Sequence, residues 1–273
     1  MMIECTVDKP QNLKDFTDNA CAQASFCFSA LLKNKEIKVN GKKTGQNITV
    51  NVGDCVQYYL TEKQAQKQAY TTVYQDENVL IIDKESGVNA EAVYAGLLRE
   101  IGSHCRFIHR LDRNTQGLMI FALTQTAETE LLFAFKNHTI EKKYHALCFG
   151  KFPKNHDVLS AYLKKDERKS LVKIYDTPVV GAEKIITEYR VLHSENGQTK
   201  AEITLHTGKT HQIRAHLAHI GCPIVGDMKY GDELQNKSLG VARQCLIAKE
   251  LSFHLDKTLS YLNTQKFISK FSL

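Results

Sequence analysis

His109-Arg110-Leu111-Asp112-Arg113-Asn114-Thr115-Gln116-Gly117 runs directly into the apolar stretch Leu118-Met119-Ile120-Phe121-Ala122-Leu123. An unbroken apolar run of this length bounded by a polar turn is the pattern of a strand buried on both faces, with the turn at its mouth. The turn sets one carboxylate, Asp112, between basic side chains. Held there, such a group cannot drift, and nearby guanidinium groups favour an anion that can act as nucleophile or base. The same residues also suit an Asx-type turn closed by Thr115 and Gly117. The stretch alone leaves both readings open, so the rest of the chain must choose between them.

Working outward, further strand-like segments lie at Val79 to Asp83, Tyr144 to Phe149, Leu171 to Tyr175, Ile185 to Leu192 and Ala201 to His206. Helical spacing recurs at 91 to 101, 125 to 136 and 209 to 219. Irregularly spaced strands with few helices between them predict an α+β fold with a mixed, largely antiparallel central sheet rather than a doubly wound parallel one. Towards the N-terminus, Leu13 to Leu32 reads as two short helices. Ile37 to Val39, Ile48 to Val50 and Val56 to Leu60 read as short strands joined by turns at Asn40-Gly41 and Gly53-Asp54. Residues 1–60 therefore form a compact α/β module, 61–70 a polar linker, and 71–273 the larger domain.

The chain has 273 residues, 42% of them hydrophobic and 24% charged, as in an ordinary globular protein with room for a core and an accessory module. No apolar run reaches the roughly 18 to 20 residues of a spanning helix, and the start lacks a signal-peptide pattern. The expectation is a cytoplasmic protein, a monomer, with no membrane partner. Eight cysteines are scattered without a Cys-x-x-Cys pair, which predicts reduced thiols. His206, His211, His216 and His219 crowd one stretch without zinc-ligand spacing, so no metal site is expected.

Lysine and arginine number 36 against 30 acidic residues, a formal charge of +6 that favours a polyanionic partner. Lys33, Lys35, Lys38, Lys42 and Lys43 cluster in one window opposed by Glu36 alone, and Lys136, Lys142, Lys143, Lys151 and Lys154 form a second group. Such stripes either neutralise phosphates or make an ordinary solvated face. A second dense segment, Thr207-Gly208-Lys209-Thr210-His211-Gln212-Ile213-Arg214-Ala215-His216-Leu217, predicts a helix capped by Thr210. Its first turns present Lys209, His211, Gln212 and Arg214, a start suited to phosphate contact.

Taken in order, three motifs resemble those of the RluA family of RNA pseudouridine synthases. They are His109 to Asp112 with Thr115 and Gly117, Glu141-Lys142-Lys143-Tyr144, and Gly208 to Leu217. Asp76 to Lys84 and Gly226-Asp227 to Tyr230-Gly231 extend the resemblance over roughly Val73 to Phe253. The module ending in Val39-Asn40-Gly41-Lys42 and Val52-Gly53-Asp54-Cys55-Val56 is similar to the αL RNA-binding fold that precedes many members. Its second helix is poor in basic residues, so RNA contact there rests on Lys33 to Lys43.

The resemblance implies isomerisation of uridine to pseudouridine within RNA, ribosomal RNA ahead of transfer RNA, with no cofactor. By the same resemblance Asp112 is the catalytic aspartate, Arg214 its arginine partner, and Tyr144 an aromatic that stacks on the target base and assists proton removal from carbon 5. Arg110 corresponds to the residue that enters the space left by the flipped base. His109, Lys209, His211 and Gln212 shape or contact the RNA path. Three positions depart from the family pattern: Gln116 replaces a serine, Lys84-Glu85-Ser86-Gly87 replaces Lys-Pro-x-Gly, and Leu246-Ile247-Ala248 replaces Leu-His-Ala. A scaffold of the same fold that binds RNA or assists ribosome assembly without turnover is the other reading. The joint presence of Asp112, Tyr144 and Arg214 argues against it.

Overall fold

Gln116–Ala122, the strand that follows the turn, is buried from Gly117 onward. The computed structural model describes residues 1–166, 171–241 and 243–273. The strand lies inside an eleven-stranded sheet. Across that sheet the order is Leu171–Tyr175, His156–Asp166, Glu183–Glu195, Gln198–Leu205, Ile140–Phe149, Leu246–Phe253, Gln116–Ala122, Val79–Lys84 and Tyr70–Gln75. Two short strands, Arg106–Phe107 and Lys266–Ile268, pair with Gln116–Ala122 and Leu246–Phe253. Among the described residues the one parallel pairing is Gln116–Ala122 with Leu246–Phe253, and the other pairs of this sheet are antiparallel. The sheet is thus mixed and largely antiparallel, and the fold is α+β, as the strand spacing predicts.

That parallel pair is unusually close. Gly117 sits opposite Ala248 with φ +116°, and a Cβ on it would lie 2.3 Å from the Ala248 carbonyl oxygen. Only glycine combines this backbone angle with so short an approach.

Both faces of the central strands are covered. On one, Ala127, Leu131 and Ala134 of the helix Gln125–Lys136 pack with Val79, Ile81, Leu118 and Ile120. Thr124 caps this helix by accepting the Ala127 amide. On the other, Val93 and Leu97 of the helix Ala90–Ile101 pack with Leu80, Ile82, Met119 and Phe121. Alternate side chains of each strand therefore enter different cores, which explains the continuous apolar runs.

Several strands lie outside the segments expected from pattern. His156–Asp166 is half exposed and polar, and Leu246–Phe253 mixes helix formers such as Leu, Ala, Lys and Glu. Neither carries a β-branched alternation, so their strand state comes from their neighbours.

The N-terminal residues form the helices Leu13–Ala20 and Ala22–Lys33 against a four-stranded sheet ordered Met2–Thr6, Cys55–Tyr59, Ile37–Val39 and Lys42–Thr44. Leu13, Phe16, Phe28, Leu31, Ile37, Val56 and Tyr58 make its core. Asn40 and Gly41 have φ of 50° and 78°, the signature of a tight Asn-Gly hairpin. Segment 61–70, expected as a linker, contains the helix Glu62–Ala65 with a Thr61/Gln64 capping box, and Ala69 is buried. All eight cysteines are free. No helix of the described residues is long and apolar enough to cross a membrane.

Candidate active site

The Asp112 turn is held from below. The Thr115 amide donates to the Asp112 carbonyl at 3.0 Å, closing the turn. Lys84, fully buried, donates its ammonium to the carbonyls of Glu85, Val88 and Arg113 at 2.9, 2.9 and 3.2 Å. Burial pulls the Lys84 pKa down to about 7, while the charge of Asp112 works in the opposite direction. Gly87 N donates to the Arg113 carbonyl at 2.9 Å, and the Ser86 hydroxyl to that of Asn114 at 3.0 Å. The departure from Lys-Pro-x-Gly has a local use: the Glu85 amide donates to Ala69 O at 2.9 Å, a bond proline cannot make.

From above, Arg214 Nη1 donates to Asp112 Oδ2 at 2.8 Å. Its other edge is gripped by Asp227, with Nε to Oδ2 at 2.7 Å and Nη2 to Oδ1 at 2.9 Å. Burial works against the Asp227 charge, but the Arg214 bonds and the amides of Lys229 and Tyr230 hold its carboxyl below the usual range. Burial likewise opposes the Arg214 cation, and the two carboxylates more than offset it. The guanidinium also lies 5.2 Å from the Tyr230 ring centroid. Asp227 has no role legible in the sequence, because a contact across 13 residues that begin in a helix and end in a loop leaves no periodic trace.

His211 corrects the expected helix start. It adopts φ 54° and ψ 19°, a left-handed conformation, and the helix begins one residue later as Gln212–His219. Thr210 is therefore not the cap, and the helix does not reach back to 209. The His211 ring meets Tyr230 Oη at 2.9 Å and lies 3.9 Å from Asp112 Oδ2. Burial lowers its pKa, partly countered by Asp112. The crowded histidines disperse to different partners: His206 to Glu188, His216 to Thr187 and His219 to Asp176.

Tyr144 stands on the strand Ile140–Phe149 just past a bulge at Lys143/Tyr144. Burial and the nearby Asp112 charge push its phenol up, so the ring meets a ligand in its neutral form. Asp112, Arg214 and Tyr144 line one cavity of about 390 Å³ with Arg110, His109 and Leu246. Lys142, read from sequence as part of a surface stripe, is buried on the wall of this cavity, its ammonium 5.3 Å from the Phe135 ring centroid. Period-2 alternation places it on the same face as Tyr144, a signal the sequence does contain.

The remaining predicted residues divide. Arg110 is exposed at the cavity mouth and pairs with Glu91 at 2.6 Å. His109 lines the cavity, stacks on Phe135 at 4.5 Å and accepts the Ile120 amide at Nε2. Burial lowers its pKa to about 3, so it supplies shape and no charge. Lys209 pairs with Glu183 at the rim. Gln212 is buried, donating to Ile186 O and Thr187 Oγ1 and accepting from Thr207 Oγ1 and Lys209 N, which braces the loop before the helix. Lys33, Lys35, Lys42 and Lys43 are exposed on the N-terminal module, and Lys38 lies over Tyr59 at 4.9 Å; none lines the cavity.

The arrangement offers a fixed carboxylate, a neutral phenol and a cation in a cleft large enough for a base-sized ligand. Comparison with known proteins bears on the fold and the family. Human RNA pseudouridylate synthase domain containing 4 superposes with a TM-score of 0.60 over 74% of this chain and 88% of that one, at 21% identity, and so shares the fold. Uncharacterized RNA pseudouridine synthase YlyB of Bacillus subtilis is 27% identical over 254 residues, 85% of this chain and 81% of that protein. Ribosomal large subunit pseudouridine synthase C of Rickettsia felis is 30% identical over 272 residues, 87% of this chain and 89% of that protein. The model of the family described as RNA pseudouridylate synthase matches residues 30–219, and with most of the chain inside that match, the chain belongs to this family as an RluA-like enzyme.

Proposed function

We propose that this enzyme converts specific uridines of large-subunit ribosomal RNA to pseudouridine, with Asp112 as the reacting carboxylate. The single observation that carries the reading is the 2.8 Å Arg214–Asp112 bond inside a cavity that Tyr144 also lines. It fixes one oxygen of a carboxylate in a cleft that accepts a nucleobase. The ribosomal substrate is supported by the names of relatives, synthases C and D of the large ribosomal subunit.

In this reading the bond from uracil N1 to the ribose anomeric carbon breaks with Asp112 at the sugar. The base turns within the closed cleft, and carbon 5 bonds to the anomeric carbon. A proton leaves carbon 5 and one is gained at N1, so the reaction is a net isomerisation. Tyr144 stacks on and orients the uracil and assists removal of the proton from carbon 5. A stacked uridine must first be extruded, at a cost of a few kcal/mol. Arg110, exposed at the cavity mouth, leaves Glu91 and fills the vacancy. The N-terminal module, similar to αL folds, supplies Lys33, Lys35, Lys38, Lys42 and Lys43 to RNA phosphates. The enzyme acts as a cytoplasmic monomer.

The test is a pseudouridine map of total RNA from cells lacking the gene, rescued by wild type or by Asp112→Asn. A site lost on deletion and restored by wild type alone supports the proposal. A map unchanged by deletion favours the non-catalytic scaffold instead.

A further inference from the structure

Arg113, the residue after Asp112, is clamped at both ends. Its carbonyl accepts from Lys84 and Gly87 of the larger domain. Its guanidinium crosses to the N-terminal helices, where Nη1 meets Asp18 Oδ2 at 2.6 Å and Nη2 donates to Ser25 Oγ at 3.2 Å. Ser25 Oγ in turn donates to Asp18 Oδ1 at 2.6 Å, and Lys14 pairs with Asp18 from the same helix. Asp18 is thus shared by Arg113, Ser25 and Lys14, with 13% of its side chain exposed.

The surroundings make this a fixed junction. Asn89 Nδ2 donates to Asn19 Oδ1 at 2.9 Å, and Arg99 Nη1 donates to the Ala20 carbonyl at 3.1 Å. Ala22 and Ala69 are buried in the same core as Leu80, Ile82 and Val93. The helix pair therefore sits directly beneath the loop 84–89 and the turn 112–115, and their contact extends through packed side chains.

We propose that Asp18 and Arg113 are positioning residues, through which the N-terminal helix pair fixes the turn that presents Asp112. This rests on Asp112 being the reacting group. The N-terminal module then has a second duty beside RNA contact. Lys84, Gly87 and the Thr115 amide hold the backbone of the turn, and Asp18 and Ser25 anchor the Arg113 side chain next to Asp112. Because reacting atoms must meet within a fraction of an ångström, loss of that anchor appears in the chemical step rather than in RNA affinity.

The experiment uses the full-length chain with Asp18→Ala, Arg113→Ala, the double variant and Arg113→Lys. It measures single-turnover pseudouridine formation with enzyme in excess over a ribosomal RNA fragment containing the mapped uridine, and RNA affinity over a salt series. Each alanine variant is expected to slow the chemical step on the order of 10- to 100-fold with affinity unchanged. The double variant should be no slower than the slower single one, since both break the same link. Arg113→Lys, which keeps a cation opposite Asp18, should recover part of the rate. Full-speed chemistry in Asp18→Ala overturns the inference, even if that chain melts earlier, because a merely structural contact would lower melting and spare the rate. So does weakened, less salt-dependent binding in Arg113→Ala alone, which would make Arg113 a phosphate contact. Asp112→Asn run in parallel separates the two claims: if it is inactive while Asp18→Ala is fully active, only the positioning role falls. If Asp112→Asn still turns over, the functional reading falls and takes this one with it.

Discussion

Asp227 holds Arg214 by two parallel hydrogen bonds of 2.7 and 2.9 Å, which leaves a single guanidinium edge to meet Asp112. A planar fork can grip one carboxylate with two parallel bonds and still aim a third donor at a second carboxylate, a geometry that a lysine ammonium cannot reproduce. Asp227→Asn leaves the buried cation short of one counter-charge. It is expected to cost about 3 to 5 kcal/mol of stability by the usual penalty for breaking a buried pair. Urea unfolding measures this directly. Arg214→Lys keeps the charge and should lose turnover more than stability, because the bond to Asp112 goes while some pairing with Asp227 stays. Equal activity in Arg214→Lys and wild type would mean that the fork geometry is irrelevant.

Gly117→Ala is the severest small change available in the sheet. The added Cβ would stand 2.3 Å from the Ala248 carbonyl oxygen at a φ of +116°. The strand pair must separate or the turn must twist, a loss of about 2 to 4 kcal/mol from strain and overpacking together. Thermal unfolding by circular dichroism should register it. Pseudouridine formation should fall too, since Gly117 follows the Asp112 turn with Gln116 between it and Thr115.

The sequence carried the residues proposed to react further than it carried their supports. Asp112, Tyr144 and Arg214 stand in dense motifs whose residue types and order are informative by themselves, and the structure brings all three to one cavity. Strands buried on both faces, such as Val79–Lys84 and Gln116–Ala122, announce themselves as apolar runs. His156–Asp166 and Leu246–Phe253 do not, because what makes them strands is pairing with neighbours distant in sequence. The left-handed His211 was hidden behind a plausible capping threonine, and the Asp227 grip and the Asp18–Arg113 link are tertiary contacts with no local signature. Lys142 is legible in the sequence, since alternation within Glu141-Lys142-Lys143-Tyr144 puts it on the tyrosine's face rather than on a solvated stripe.

Glu85→Pro restores the family's residue and should still be harmful here. The Glu85 amide donates to Ala69 O, tying the loop beneath Asp112 to the segment that leaves the N-terminal module. Proline removes that donor and strands the buried Ala69 carbonyl, for a loss of about 1 kcal/mol or more. A variant at least as stable as wild type in urea would show that the bond contributes nothing.

Stability should fall on the acid side before carboxylates begin to titrate. Burial holds His216 at about 4 and His109 at about 3, against an ordinary value of 6.5. Burial shifts His138, His145 and His211 in the same direction. A folded pKa below the unfolded one means that the unfolded chain binds more protons in between. The contribution of each histidine is therefore complete above its unfolded value of 6.5 and is lost as pH falls towards the folded value. For one such group the slope approaches about 1.4 kcal/mol per pH unit inside that window. Unfolding free energy measured from pH 7 to 5 should decline steadily, and His216→Asn, which can still bond Thr187 but takes up no proton, should flatten the decline by one proton's share. An unaltered slope in that variant would mean that His216 is already protonated in the folded chain, and that burial beside Thr187 does not exclude its charge.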